Sequence, residues 1–229
     1  SLLFPLSVVI FLLVSACSSN PKRANAYLHE DDVAFAGDVS FEPIVSELSD
    51  LFALRTPEAT MKPLFCSEDS AIRLLLKDSV RFAIATRPLL EKEKMLVESH
   101  NLPLLQSRIA YDAFALIVNK SNPDTAINVQ ELRDIMMGKL TRWEQLEMGS
   151  KHGDISVVFD ASGSSTVRYM KDSLNNGRPL KGKIYAQGSN RAVLDMVKSN
   201  PDVIGVVSTD WLRVCKGDTA AMASFRDLD

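Results

Sequence analysis

The sequence predicts an α/β fold, in which strands and helices alternate along the chain. Two observations support this class: short apolar runs alternate with amphipathic stretches, and several of the strand-like runs end in small or hydroxyl-bearing residues. The chain has 229 residues, of which 46% are hydrophobic, and this is enough material for one large core or two smaller ones. Its 10 glycines and 10 prolines exclude a collagen-like or low-complexity chain.

In the first half of the folded body, apolar spacing predicts most of the elements. Pro43 is compatible with the start of a helix, because the first helical turn has no internal partner for the missing N–H. The predicted elements are a strand over 33–36, a tight turn over 37–40, a helix carrying Ile44 to Phe52, a helix opened by Ser67, a strand containing Val80, Phe82 and Ile84, and a helix over 91–99.

In the second half, capping residues mark several helix starts. Asn128 and Glu131 form a plausible capping pair. The predicted elements are a strand over 109–119, a helix capped by Asn128 and ending near Gly138, a strand over 155–159, a helix beginning at Ser164, a helix capped by Ser189 and a strand over 204–208.

The first residues predict a lipoprotein signal peptide over 1–16. Residues 2–16 carry no charge, and the run is shorter than the about 20 residues that a membrane-spanning helix needs. Its length fits the apolar region of a signal peptide. Small residues precede Cys17, as in a bacterial lipobox, which implies cleavage before Cys17 and acylation of its sulfur; an ordinary signal peptide with an incidental cysteine is the alternative. Residues 17–32 are expected to form a polar tether.

Charge and cysteine content narrow the possible functions. The chain has 29 acidic and 26 basic residues, a formal net charge of −3, and no basic run, so the sequence does not predict nucleic-acid binding. The 3 cysteines form no C-x-x-C pair, which fits neither a disulfide scaffold nor a zinc module. The large separation of Cys66 and Cys215 does not favour a disulfide between them, and we expect no cofactor and no metal.

Three turns between a strand and a helix carry small or hydroxyl-bearing residues: 38–40, 85–87 and 160–166. In open α/β sheets, ligands bind beyond the carboxyl ends of the strands, and a helix N-terminus there favours anions. The turn DASGSST over 160–166 is therefore suited to an oxyanion. Helix capping alone explains the same serines and threonines equally well, so both interpretations stay open from the residues.

Several stretches together resemble the substrate-binding proteins of bacterial phosphate ABC transporters. Their order and spacing carry the resemblance, which runs from about Val33 to Trp211. The stretches are IAYDAFALIVNKSNP over 109–123, QELRDI over 130–135, Gly138-Lys139, WEQL over 143–146, Val157-Val158 with the Ser-Ser-Thr turn, GSN over 188–190 and NPDVIG over 200–205. The resemblance implies a two-lobed type II periplasmic-binding-protein fold with the ligand in the cleft.

The resemblance also implies a domain organisation and a set of partners. Residues 33–110 with 206–229 are expected to form lobe I and residues 111–205 lobe II. Because the family continues past the equivalent of Asp229, we expect a C-terminally truncated chain with an incomplete lobe I. The implied ligand is phosphate or a similar oxyanion, the implied partner is an ABC transporter permease, and the implied location is extracytoplasmic (the periplasm), on a membrane through the lipid anchor.

The family's binding residues match this chain on two turns. Ser40 and Phe41 match a hydroxyl–aromatic pair on the first turn. Ser164 and Thr166 match the serine and threonine of the family's phosphate loop, and Ser165 stands where glycine is usual.

Two positions depart from the family. Asp160 stands where an arginine is usual, and Thr86-Arg87 stands where an acidic residue is usual. We therefore expect Arg87 to supply the cation, with Thr86 beside it in the site, and Asp160 or Asp38 to accept a phosphate proton. Arg168, in the following helix, is the weaker candidate for the cation.

The sequence does not predict an enzyme, because it contains no G-x-S-x-G, H-E-x-x-H or Walker motif. A second alternative stays open. The same fold can serve as an oxyanion-sensing or envelope-assembly module without transport, and the surfaces that would decide carry no motif.

Overall fold

The computed structural model describes residues 32–100, 103–124, 126–149, 153–216 and 225–227. The strands are β1 (Asp32–Asp38), β2 (Thr60–Cys66), β3 (Ala83–Ile84), β4 (Phe114–Asn119), β5 (Ser156–Phe159), β6 (Ile184–Ala186), β7 (Val203–Ser208) and β8 (Phe225–Asp227). The α-helices are α1 (Glu42–Arg55), α2 (Glu68–Leu76), α3 (Glu91–Ser99), α4 (Val129–Met136), α5 (Ser165–Tyr169), α6 (Asn190–Ser199) and α7 (Thr209–Lys216).

The first sheet has three parallel strands in the order β2-β1-β3. Its central strand β1 is buried from Ala34 to Asp38, as expected for a parallel strand covered on both faces. Helix α2 packs on this sheet through Ala71 (0% exposed), which contacts Ala36 and Val80.

The second sheet has five strands in the order β6-β5-β7-β4-β8. Strand β7 lies at its centre, parallel to β5 and antiparallel to β4, and all six of its residues are buried. Successive residues of a strand point to opposite faces, so Ile204 packs with α4 and Trp143 on one face while Val203 packs with α6 on the other. Helices thus cover both faces of this sheet.

The predicted α/β class is confirmed. The capping predictions are also confirmed: the side chains of Asn128, Ser164 and Ser189 each accept a backbone N–H at a helix start. Strand β2 was not predicted, because its sequence TMKPLFC has no regular alternation of apolar and polar residues and contains Pro63. As an edge strand paired with β1, it tolerates that proline.

The strand predicted over 109–119 begins later, at Phe114. Its partner β7 ends at Ser208, which lies opposite Phe114, and the chain then turns into α7. Residues 109–113 therefore have no facing β7 backbone with which to pair.

The expected assignment of 206–229 to lobe I stays a prediction. Residues Val206 to Ser208 complete β7, and β8 pairs with β4 in the second sheet. Helix α7, in contrast, contacts α1, the helix that packs on the first sheet. There Asp210 Oδ2 accepts the Ile44 N–H at 2.8 Å.

Several sequence predictions concern residues outside the described ranges. The signal peptide over 1–16, the lipidated Cys17 and all of the tether except Asp32 belong to this group. Within the described ranges, no helix combines the length and hydrophobicity needed to span a bilayer. Cys66 is a free thiol, and nothing is described of the Cys215 side chain.

The centre of β7 depends on a residue without a side chain. A Cβ placed on Gly205 would lie 2.7 Å from Val197 Cγ2 and 2.9 Å from Ile117 Cγ1. These two groups belong to α6 and β4, so Gly205 lets the helix pack closely on the sheet.

We expect Gly205→Ala to lower the free energy of unfolding by about 1–3 kcal/mol, because the new methyl group overpacks the core. Urea denaturation measures this effect. Gly37→Ala in β1 is the matched control, since its Cβ would meet only Phe65 ring atoms at 3.4 Å, an ordinary contact distance. Equal loss of stability in the two variants would contradict the role assigned to Gly205.

Candidate functional site

Two hydroxyl-bearing turns meet where the first sheet faces the second. Ser40 follows β1, and Ser165 begins α5 after β5. Their Oγ atoms lie 3.2 Å apart and form a hydrogen bond between the two halves of the molecule. Both side chains are buried, with relative exposures of 1% and 5%. The carboxyl ends of β1 and β5 therefore converge on one polar cluster.

Each turn is shaped by its own side chains. Asp38 Oδ1 accepts the Ser40 N–H at 2.9 Å, which holds the short 3-10 turn Val39–Phe41 against the end of β1. In the second turn, Ser164 Oγ accepts the Val167 N–H at 3.4 Å and lies 2.9 Å from Thr166 Oγ1. Ser164 therefore caps α5, and its neighbour Thr166 extends the cluster of hydroxyl groups.

A carboxylate lies at each end of this cluster. Thr166 Oγ1 donates to Asp160 Oδ1 at 3.2 Å, and Asp38 is bonded to Ser40 as described. Asp38 and Asp160 are both 0% exposed. Within the described residues, the second oxygen of each carboxylate, Oδ2, has no hydrogen-bond partner. Leaving such an atom without a hydrogen bond costs about 1–3 kcal/mol, so each of the two oxygens destabilises the ligand-free protein.

The buried environment changes the acidity of one of these groups. Burial raises the pKa of Asp38 above its ordinary value, because the charged form loses its hydration. Hydrogen bonds from Ser40 and Ser165 oppose this shift, whereas the negative charge of Asp160 adds to the rise in the pKa of Asp38. Asp160 is therefore close enough to influence the protonation of Asp38.

A second polar cluster lies beside the first, around Glu68 at the start of α2. Glu68 is 1% exposed and accepts the backbone N–H and the hydroxyl of Thr86 at 2.8 and 2.6 Å. From the opposite half of the molecule, the Arg168 guanidinium donates to Glu68 Oε2 and to Thr86 Oγ1, both at 2.6 Å. This cluster forms a second link between the two sheets.

The predicted cation, Arg87, lies in the second cluster rather than among the hydroxyl groups. Its guanidinium donates two hydrogen bonds to the Glu93 carboxylate, at 2.7 and 2.9 Å, and its Nε lies 3.9 Å from Glu68 Oε2. This pairing holds the pKa of Glu93 below its ordinary value. The structure therefore brings Ser40, Ser164, Ser165, Thr166, Asp38 and Asp160 together, and it places Thr86 and Arg87 beside them. The binding role of Arg87 stays a prediction.

Phe41 is half-buried next to Ser40, at the start of α1. The turn that carries it is held from the other half of the molecule, because Trp211 Nε1 donates to Val39 O at 3.1 Å. Whether the Phe41 ring contacts a ligand stays a prediction.

Three groups near the site were missed from the sequence. A Cβ on Gly163 would lie 3.4 Å from Ser67 Oγ and 3.3 Å from Asp69 Oδ2, so the start of α2 approaches the second turn closely. Glu68 lies at the start of α2, the helix that Ser67 was predicted to open, but its part in the site was not predicted. Asn190, at the start of α6, is 0% exposed, and both its amide atoms lack partners within the described residues.

The donor types present limit the chemistry of the site. The described residues contain no group of three or more His, Cys, Asp or Glu side chains arranged to hold a metal ion. The hydroxyl groups can donate hydrogen bonds, and the free carboxylate oxygens can only accept them while ionised. The cluster is therefore matched to a small ligand that carries both acceptor oxygens and acidic protons.

Comparison with known proteins identifies the family. A family model described as the PBP superfamily domain matches residues 19–224, and the chain belongs to this family. The predicted resemblance is confirmed as well, because the chain is similar to the phosphate-binding protein PstS of Staphylococcus aureus (strain USA300), with 24% identity over 196 residues. That match covers 85% of this chain and 59% of PstS, so the chain spans less than two thirds of the relative's length.

Solved structures share the fold. A putative phosphate ABC transporter substrate-binding protein with bound phosphate, from Clostridium perfringens, matches with a TM-score of 0.65 and 24% identity, covering 78% of this chain and 70% of that one. An ABC-type phosphate transport receptor from Vibrio cholerae gives a TM-score of 0.60 at 22% identity, covering 86% and 75%. The Synechocystis PCC6803 CcmR regulatory domain in complex with 2-PG gives 0.61 at 13% identity, covering 87% and 80%. At these identities the likeness establishes the fold, and together with the family match it confirms the predicted two-lobed periplasmic-binding-protein fold.

We expect Asp38→Asn to raise the free energy of unfolding of the ligand-free protein by about 1–3 kcal/mol at neutral pH. The amide keeps an acceptor for the Ser40 N–H and removes a buried charge. Because the pKa of Asp38 is raised in the folded protein, Asp38 contributes stability to the wild type below the ordinary aspartate pKa. This contribution is lost as the pH rises through the raised pKa. The gain in the variant should therefore shrink on acidification.

Denaturant titrations at neutral and acidic pH check this expectation. Asp195→Asn is the matched control, because Asp195 is 65% exposed on α6. A loss of stability in Asp38→Asn at neutral pH, or a gain that does not change with pH, would contradict the account of Asp38.

Proposed function

We propose that this chain is an extracytoplasmic solute-binding protein that captures phosphate between its two lobes and delivers it to an ABC importer. One observation carries the proposal: a buried set of hydroxyl groups from both halves lies between two carboxylates, each of which keeps an unpartnered oxygen. The similarity to phosphate-binding relatives supports the same ligand.

The donors and acceptors of the cluster favour phosphate over sulfate. Ser40 and Ser165 can donate charge-assisted hydrogen bonds to anionic oxygens. Thr166 can do so once its hydroxyl group turns from Asp160 to the ligand. The free oxygens of Asp38 and Asp160 require donors. Phosphate still carries a proton at neutral pH and can donate it, whereas sulfate would place its lone pairs against those of the carboxylates. This mismatch discriminates between two anions of similar size and shape.

Ligand entry requires the two halves to separate at the polar cluster. In this structure the hydroxyl groups of Ser40 and Ser165 bond to each other, so a bound anion has to replace that contact with bonds to itself. The Arg168–Glu68 pair also joins the two halves, at 2.6 Å. We propose that this pair re-forms when the lobes close over the ligand.

The proposal does not assign an enzymatic activity. The hydroxyl groups of the cluster lie near carboxylates and other hydroxyl groups, and no histidine base is paired with them within the described residues. Binding and release, rather than chemical conversion, is the activity that this arrangement supports.

An oxyanion-sensing module is the second candidate function. The observation that favours it is the fold shared with the CcmR regulatory domain, at a TM-score of 0.61. Both candidate functions need the same ligand site. They differ in the partner protein that binds the closed, ligand-bound form of this chain.

We also propose that Cys17 is acylated and holds the folded body on a membrane. Support comes from the sequence alone: an uncharged apolar run ends in small residues directly before Cys17, and polar residues follow. Several acyl chains at one residue provide firm attachment, because a single chain gives only marginal binding.

Calorimetric titration with phosphate tests the binding function, and we expect phosphate to bind with higher affinity than sulfate. Thr166→Val keeps the shape of the side chain and removes the hydroxyl group. We expect its affinity for phosphate to fall by about 10- to 100-fold, corresponding to the about 1.5–3 kcal/mol of a charge-assisted hydrogen bond. Thr141→Val, at an exposed position on the second half, is the matched control and should bind like the wild type.

Two results would contradict the binding proposal. One is equal affinity for phosphate and sulfate. The other is a Thr166→Val variant with lower stability but unchanged affinity, which would mean that the turn only caps α5.

Cys17→Ala should release the protein from the membrane fraction or leave it unprocessed. Growth with a labelled fatty acid followed by fractionation measures this effect, and Cys66→Ala should keep both label and membrane attachment. Label that persists in Cys17→Ala would rule out acylation at this residue.

A further inference from the structure

The two carboxylate oxygens without a partner in the described structure lie on either side of one cluster of hydroxyl groups. Ser40 is bonded to Asp38 through its backbone N–H and to Ser165 through its hydroxyl group. Ser165 is followed in sequence by Thr166, whose hydroxyl group donates to Asp160. Asp38 Oδ2 and Asp160 Oδ2 are thus free acceptors on either side of a set of hydroxyl donors. A ligand that satisfies both must itself carry two donors.

The charges around the site oppose a doubly negative ligand. Among the described residues, the two cations nearest the hydroxyl groups are paired, Arg87 with Glu93 at 2.7 Å and Arg168 with Glu68 at 2.6 Å. These four charges sum to zero. Asp38 and Asp160 together contribute at most two negative charges in a buried position. Bringing further negative charge to such a position is costly.

We propose that the cleft binds phosphate in its dihydrogen form, with one P–OH group donating to Asp38 Oδ2 and the other to Asp160 Oδ2. The hydroxyl groups of Ser40 and Ser165 donate to the two remaining phosphate oxygens. This inference rests on the proposed phosphate-binding function and specifies the protonation state that the site selects. Asn190 is available as a further donor, because its buried amide has no partner within the described residues. It lies two residues after Gly188, whose N–H donates to Asp160 O.

Two P–OH groups fix the number of phosphate protons in the complex at two. Above the second pKa of phosphate, the free anion carries one proton, so binding has to take up one proton from solution. Affinity then falls about tenfold for each unit of pH. Below that pKa, free phosphate already carries both protons, and binding takes up none.

The neighbouring titratable groups do not change this count. Asp160, which follows β5, acts on Asp38, and Cys66 lies opposite Asp38 on β2. Arg73 of α2 is a permanent cation that acts on Cys66. Burial raises the pKa of the Cys66 thiol, which favours the neutral thiol over the thiolate. If a proton moves from phosphate to Asp38 within the complex, the complex still holds two protons and the dependence on pH is the same.

Calorimetry of phosphate binding to the wild-type chain from about pH 6 to about pH 9 tests the proposal, with each pH measured in two buffers of different ionisation enthalpy. The difference between buffers gives the number of protons taken up. We expect uptake to rise to one proton per phosphate at alkaline pH, together with an about tenfold loss of affinity per pH unit.

Asp160→Asn provides a variant with one acceptor replaced by an amide that can also donate. It should bind monohydrogen phosphate without proton uptake, so its affinity should change less than about threefold per pH unit at alkaline pH. Asp38→Asn should behave in the same way and provides a second variant if Asp160→Asn fails to fold. The control Asp195→Asn, exposed on α6, should keep the wild-type dependence on pH.

The outcomes separate the inference from the function on which it rests. Absence of phosphate binding at every pH would contradict the proposed function. Tight binding whose affinity stays constant or rises with pH, without proton uptake, would overturn the selection of the dihydrogen form and leave phosphate binding intact. A carboxamide variant that keeps the full wild-type pH dependence would overturn the assignment of that carboxylate.

Discussion

Two fully buried carboxylates set the main physical constraint on this molecule. Asp38 ends β1 in the first sheet and Asp160 follows β5 in the second, and each keeps one oxygen without a hydrogen bond in the described structure. A protein that only needed stability would place apolar or fully bonded groups there. Here the two oxygens without hydrogen bonds lie at the contact between the two halves. A ligand can reach both oxygens when the halves separate. Unsatisfied groups of this kind are a mark of functional sites.

The two sheets explain how the carboxylates come together. Strand β1 is the centre of the first sheet, and β5 lies next to the buried β7 in the second. The carboxyl end of each strand leads into a turn that its own side chains hold, through Asp38 in one case and Ser164 in the other. The turns are therefore rigid on each side of the cleft. The hydroxyl–hydroxyl bond that joins them, at 3.2 Å, is weak enough to exchange for a ligand.

The sequence was most informative where structure depends on neighbouring residues. Helix caps at Asn128, Ser164 and Ser189 could be predicted because a cap is a local interaction between residues about three positions apart. The hydroxyl-rich turns could be predicted for the same reason. Strand β2 could not, because Pro63 and a weakly alternating pattern gave no clear signal before its pairing with β1 was known.

Contacts between distant residues were the main limit on predicting the site. Arg168 and Glu68 are 100 positions apart, and nothing in either local sequence indicates the other as its partner. Arg87 could be proposed as the cation from the exchange of charged residues relative to the family. Its bonds to Glu93, six residues later, depend on the way α3 begins, where Glu93 also accepts the Leu90 N–H at 2.7 Å.

The central claim is that the polar cluster between the halves is the phosphate site, and a crystal structure of the chain with phosphate tests it most directly. The account predicts phosphate between Ser40 and Ser165, with their direct bond replaced by bonds to phosphate oxygens, and with Asp38 Oδ2 and Asp160 Oδ2 each within hydrogen-bond distance of one phosphate oxygen. Phosphate bound elsewhere, with the Ser40–Ser165 bond and both free carboxylate oxygens unchanged, would contradict it.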